Sequence, residues 1–216
     1  IDIDSITNVT VNDSNITAGD DGIAIKTNAA AASNITVENT NVYGTHGLSI
    51  GSQTFDGVTN VLFKNNYVYG KSSGGTASTD ANAINIKTDH DCGGLVNKVT
   101  YENTCIRYAK HLIVVNANYG SCSGGSGTPQ FENIIVNGAL SENSVSGAYE
   151  LFAGYNSSNL AQIYLGNVKL DSNTQNGDQY ADIYLYNVNG LSPSGTDVTK
   201  LSWNASGSVP SCSFKF

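Results

Sequence analysis

One six-residue pattern recurs along this chain: a polar residue, an aliphatic, any residue, an aliphatic or aromatic, any residue, then Asn, Asp or Gly. It reads NVTVND from Asn8, NITVEN from Asn34, NVLFKN from Asn60, KVTYEN from Lys98, NIIVNG from Asn133 and QIYLGN from Gln162. The starts lie 26, 26, 38, 35 and 29 residues apart. A second short segment follows each copy: GIAIKT from Gly22, GLSIGS from Gly47, AINIKT from Ala83, HLIVVN from His111, YELFAG from Tyr149 and ADIYLY from Ala181. All of them alternate at period two over about six residues, the signature of half-buried strands, and helical periodicity is nowhere sustained.

Short strands between turns also build sandwiches and barrels, but those folds have no reason to repeat one strand pair at intervals near 26. A right-handed parallel β-helix does, because each coil stacks on the last and extends its parallel sheets. The expectation is therefore an all-β solenoid, one domain over 1–216. The longer intervals mark loop insertions, notably 71–81 and 121–128, both rich in Gly and Ser. The stretch from Gln162 onward is expected to give the last coil and a covering tail, with Trp203 as a cap.

Composition narrows the partners. Lys and Arg number 10 against 18 Asp and Glu, a formal net charge of -8, which suits neither nucleic acid nor an anionic membrane. No apolar run approaches the ~18 residues of a membrane span. Six Asn-x-Ser/Thr sequons (Asn8, Asn12, Asn15, Asn34, Asn156, Asn204) and four cysteines lean towards a secreted protein. No Cys or His spacing suggests zinc, so disulfides are expected. Cys92 and Cys122 follow second strands of adjacent coils and are placed to meet, leaving Cys105 and Cys212 to pair or stay free.

Stacking converts sequence offset into spatial position. Asp20 lies 12 residues after Asn8, His46 lies 12 after Asn34, and Lys110 lies 12 after Lys98. With coils about 4.8 Å apart, His46 falls one coil above Asp20 and Asp21. In the second strands Ile23, Ile25, Leu48, Ile50, Ile84 and Ile86 alternate inward. Ala24, Ser49 and Asn85 then form one outward row, and Lys26, Gly51 and Lys87 the next. Two adjacent acids repel each other and are costly to desolvate unless something uses them. Their convergence with His46, Asn85 and Lys87 on one face marks a candidate site. Tyr119, ahead of the second loop insertion, is placed to stack on a sugar or to donate a hydrogen bond.

Gly19-Asp20-Asp21, Thr45-His46-Gly47-Leu48-Ser49-Ile50-Gly51-Ser52, Ile86-Lys87-Thr88 and Tyr119 resemble, in order, the signature segments of family 28 glycoside hydrolases, the polygalacturonases, most of all the bacterial-type endopolygalacturonases. The resemblance covers about residues 1–120. It implies a secreted, monomeric, cofactor-free and metal-free inverting hydrolase of pectic polysaccharide. Asp20 would be the general acid, Asp21 would share in holding and deprotonating the attacking water, and His46 would tune the acid or contact substrate. Lys87 would bind a galacturonate carboxylate, with Asn85 and Tyr119 lining the same subsite.

Two departures stand out. The family's further catalytic Asp, in an Asn-Thr-Asp-Gly segment, would fall just before Ile1, so the chain reads as the C-terminal portion of a longer solenoid. Asp2 and Asp4 read as outward strand positions rather than substitutes. The family's Arg before Ile-Lys is Asn85, which brings no charge and leaves other pectic or neutral galactans open. The alternative is a catalytically inactive β-helix that binds cell-wall polysaccharide. A calcium-dependent polysaccharide lyase shares the architecture, but no calcium cage or arginine base is placed for it.

Overall fold

The computed structural model describes residues 1–44, 46–71, 75, 80–121, 126–172 and 174–213. It is all-β, a right-handed parallel β-helix, and each strand-to-strand pairing in its sheet system is parallel. Three strand stacks run along the axis. The one that carries the candidate site holds Asp2–Asp4, Ile23–Thr27, Leu48–Thr54, Asn82–Lys87, His111–Asn116 and Tyr149–Ala153. The second begins with Thr7–Asn12, Ala32–Glu38 and Val58–Lys64, and the third with Asn15–Ala18, Asn41–Gly44 and Tyr67–Tyr69. Two long strands, Leu95–Arg107 and Gln130–Glu142, bend through both of these stacks.

The six copies of the first pattern stack in the register their starts predict: Val9, Ile35, Val61, Val99, Ile134 and Ile163 are successive partners. One expectation fails. The segment from Ala181 belongs to the first set, pairing Ala161 with Ala181 and Ile163 with Ile183, and Thr196–Ser202 adds a further rung. The chain beyond Gln162 therefore winds on instead of closing in one coil. Alternation looks the same in every stack, so the pattern alone does not say which stack a strand joins.

Inward side chains make one continuous core, with Ile23, Ile25, Leu48, Ile50, Ile84 and Ile86 all fully buried. Phe63 and Tyr101 lie one rung apart and stack, with ring centroids at 4.4 Å. Corners between stacks need a left-handed residue, which Asn tolerates better than any other side chain. Asn8, Asn34 and Asn60 take the same conformation near the start of their strands, where they bend the chain, with φ of 61°, 57° and 55°. Asn34 then donates its side-chain amide to Asn8, and Asn60 to Asn34, one coil below in each case. Two of the sequons, at Asn8 and Asn34, thus have a structural use independent of any glycan. Asn66 goes further inward: fully buried, it accepts from the Thr40 backbone N–H and donates to the Val37 carbonyl.

The C-terminal segment lies back along the solenoid. Trp203 covers Tyr164 and donates Nε1–H to the Leu165 carbonyl, and Asn137 and Asn167 both donate to the carbonyl of Ser206. Cys105 and Cys212 form a disulfide across a sequence separation of 107 residues. The expected Cys92–Cys122 contact lies outside the described residues, as do most of the 71–81 insertion and the middle of 121–128. Among the described residues, no helix is long and apolar enough to cross a membrane.

Candidate active site

The paired acids sit at the corner entering strand Ile23–Thr27. Gly22 is required just after them, because a Cβ there would lie 2.2 Å from Val42 Cγ1. Its N–H instead donates to the Gly47 carbonyl one coil away, which ties the two corners together. Gly47, at φ +60°, is equally fixed: a Cβ would meet backbone oxygens of Asn82 and Ala83 at 2.4 Å. These close approaches hold Asp20, Asp21 and His46 on one face.

The two carboxylates diverge. Asp20 is open to solvent, whereas the Asp21 side chain is only 8% exposed. His46 Nδ1 stands 2.8 Å from Asp20 Oδ1 and 3.7 Å from Asp21 Oδ1. The Asp21 backbone N–H also donates to Asp20, at 2.7 Å. That bond first, and His46 second, hold the Asp20 carboxyl below the usual carboxylate range. Asp21 accepts from Ser49 Oγ at 2.6 Å and from Lys87 Nζ at 3.4 Å to each oxygen. Its burial is thus matched by a hydroxyl and a cation, as a buried carboxylate requires.

Lys87 projects from the next coil, and its ammonium lies 5.1 Å from the centroid of the exposed Tyr119 ring. Asn85 reaches Ser49 Oγ with its amide at 3.4 Å. The sequence-predicted residues Asp20, Asp21, His46, Asn85, Lys87 and Tyr119 therefore line one continuous surface drawn from four coils. One correction applies to the two outward rows: Ala24, Ser49 and Asn85 of the first and Lys87 of the second are nearly fully buried, so they form the floor of a cleft. Lys26 is not part of the site, since it pairs with Asp2 at 3.1 Å. Lys110 is not either; its ammonium donates to the Ser146 carbonyl.

Sequence reading missed the far side of this cleft. A groove of about 270 Å³ runs from His46, Asn85 and Lys87 past Asn82, His111 and Val114 to Tyr149 and Leu151. The stacking rule that located Asn85 was sufficient to find Val114 and Leu151, the next two members of its row.

Donor atoms of Asp20, Asp21 and His46 lie within 4.8 Å of one another, a spacing that would admit a cation. The Lys87 ammonium already occupies the positive position beside Asp21, so the arrangement suits proton transfer and anion contact.

The chain as a whole is similar to known proteins. The description of glycosyl hydrolases family 28 matches residues 1–202. The chain is 35% identical to a polygalacturonase of Ralstonia nicotianae, over 89% of this chain and 35% of that protein. It is 33% identical to an endo-polygalacturonase of Pectobacterium parmentieri, over 81% and 40% respectively. The solved polygalacturonase from Erwinia carotovora ssp. carotovora superposes with a TM-score of 0.60 at 25% identity, covering 96% of this chain and 45% of that one. The chain spans less than half the length of each.

Proposed function

The chain belongs to family 28 of the glycosyl hydrolases, and from that premise we propose that the full protein is an inverting hydrolase of polygalacturonate-type α-1,4 galacturonosyl links. The observation that carries this reading is the convergence of Asp20, Asp21, His46 and Lys87, from three coils, on one cleft floor. Asp20, the solvent-facing carboxyl, protonates the glycosidic oxygen. Asp21, fixed by Ser49 and Lys87, helps to hold and deprotonate water. Inversion needs acid and base ~6.5–9.5 Å apart, and neighbouring aspartates reach only the near end of that range, so a further acid of the full protein completes the pair.

In the free site Asp20 is held ionised at neutral pH. Its acid role therefore depends on bound substrate, whose uronate charges and exclusion of water raise the carboxyl's affinity for a proton. His46 shares that proton, and Lys87 meets a galacturonate carboxylate while Tyr119 borders the same sugar. The same reading has a single chain acting outside the cell on a polymer.

The test uses full-length protein and polygalacturonate. New reducing ends should appear, their anomeric configuration should be inverted when followed by NMR, and Asp20→Asn should lose nearly all turnover. Retained configuration would rule out inversion. The low proton affinity of Asp20 in the free site also favours a second reading, a binding solenoid without catalysis. Saturable binding with no new reducing ends would select it.

A further inference from the structure

We propose that the stretch of groove beyond Asn85 receives an uncharged, methyl-esterified uronosyl residue in preference to a free uronate. The inference rests on the hydrolase reading and deepens it by naming the substrate class at a neighbouring position. The floor row changes character along the axis: Ala24, Ser49 and Asn85 give way to Val114 and Leu151 on the next two rungs. Two strand spacings amount to about 10 Å of wall. Over that distance Val114 and Leu151 present carbon, and the rings of His111 and Tyr149 flank them with centroids 4.5 Å apart.

Charge argues the same way. Among the described residues that line the groove, Lys87 is the single ammonium or guanidinium, and it is already shared with Asp21. Asp80 lines the wall on the same side as His111. Burial holds the His111 imidazole below its ordinary pKa, so it stays neutral where it would otherwise begin to charge. Its Nδ1 is engaged with the Asn82 amide oxygen. A free carboxylate seated over Val114 and Leu151 would lose water, gain no cation and face Asp80. An ester removes the charge and sets a methyl group against carbon, while the sugar hydroxyls remain in reach of the Asn85 and Asn116 amides.

Full-length protein is assayed on three polymers: de-esterified polygalacturonate, partly methyl-esterified homogalacturonan and neutral galactan. We expect kcat/KM to be highest on the partly esterified polymer, which keeps a free carboxylate for Lys87 and offers an ester to Val114 and Leu151. Leu151→Lys, at a partly exposed floor position, should lower the esterified-to-free ratio about fivefold, the effect of one new exposed ion pair. Its melting temperature should stay near that of the parent. A higher kcat/KM on de-esterified polymer, an unchanged ratio in folded Leu151→Lys, or equal cleavage of galactan overturns the inference while leaving the hydrolase reading intact. If no polymer yields reducing ends, the hydrolase reading fails separately. Calorimetric binding of matched oligomers then decides the inference: tighter binding of the esterified oligomer supports it, and tighter binding of the free one refutes it.

Discussion

Glu150 turns into the solenoid, at the end of an inward row that runs Ile23, Leu48, Ile84, Ile113. Its side chain is fully buried, and neither carboxylate oxygen has a hydrogen-bond partner. Burial, with the charge of Asp178 adding to it, raises its pKa from 4.5 to about 7. Below about 4.5 the group is protonated both folded and unfolded and costs nothing. Between about 4.5 and 7 the unfolded chain gives up the proton first, so stability falls as pH rises. Above about 7 the loss is complete. A shift of about 2.5 units is worth about 3 kcal/mol at 1.36 kcal/mol per unit. Glu150→Gln keeps the shape and removes the ionisation. It should match the parent at pH 4 and exceed it at pH 8 by as much as about 3 kcal/mol, roughly 6–12 °C in Tm for a chain of this size. Thermal melts of both proteins from pH 4 to 8 measure this directly. Parallel stability–pH curves for the two would refute the reasoning.

Further expectations concern the tail, a corner and the cleft. Cys212→Ser opens a covalent loop of 107 residues and should cost about 2–4 kcal/mol, read as a lower Tm than the parent's under non-reducing conditions, with the gap closing once both proteins are reduced. Asn66→Ala orphans the Thr40 N–H and the Val37 carbonyl and should cost roughly 2–4 kcal/mol in urea unfolding, whereas Asn60→Ala at an exposed bend should cost less. Lys87→Met removes the cation beside Asp21 and should lower kcat/KM on polygalacturonate by about 10–100-fold without large loss of Tm. With the parent protein, the alkaline limb of the kcat profile should lie at higher pH than that of kcat/KM, because bound polyanion raises the pKa of Asp20, which must be protonated to act; coincident alkaline limbs would contradict that.

Much of this molecule is legible in its letters because a solenoid is nearly one-dimensional: neighbours in space are one coil apart in sequence. The interval of 26 residues places His46 over Asp20, and the bond between them closes across that interval. The longer steps are harder. Alternation alone does not separate the three stacks, which is why the segment from Ala181 reads plausibly in the wrong one. Burial of Asn85 and Lys87 depends on how flanking corners fold over the floor, and no periodicity encodes that. Asn66 and Glu150 are polar letters at positions that look like loop and surface, and only packing reveals their enclosure. Asn8 and Asn34 illustrate the reverse: they read as glycan acceptors, but left-handed bends select the same residue.

The central claim is that residues from separate coils act as one catalytic unit, and a double-mutant cycle of Asp20→Asn and His46→Ala on polygalacturonate tests it most directly. If the 2.8 Å pair works together, the double variant should be scarcely slower than Asp20→Asn alone. Losses in kcat/KM that simply multiply would show two independent groups, and the shared proton would not exist.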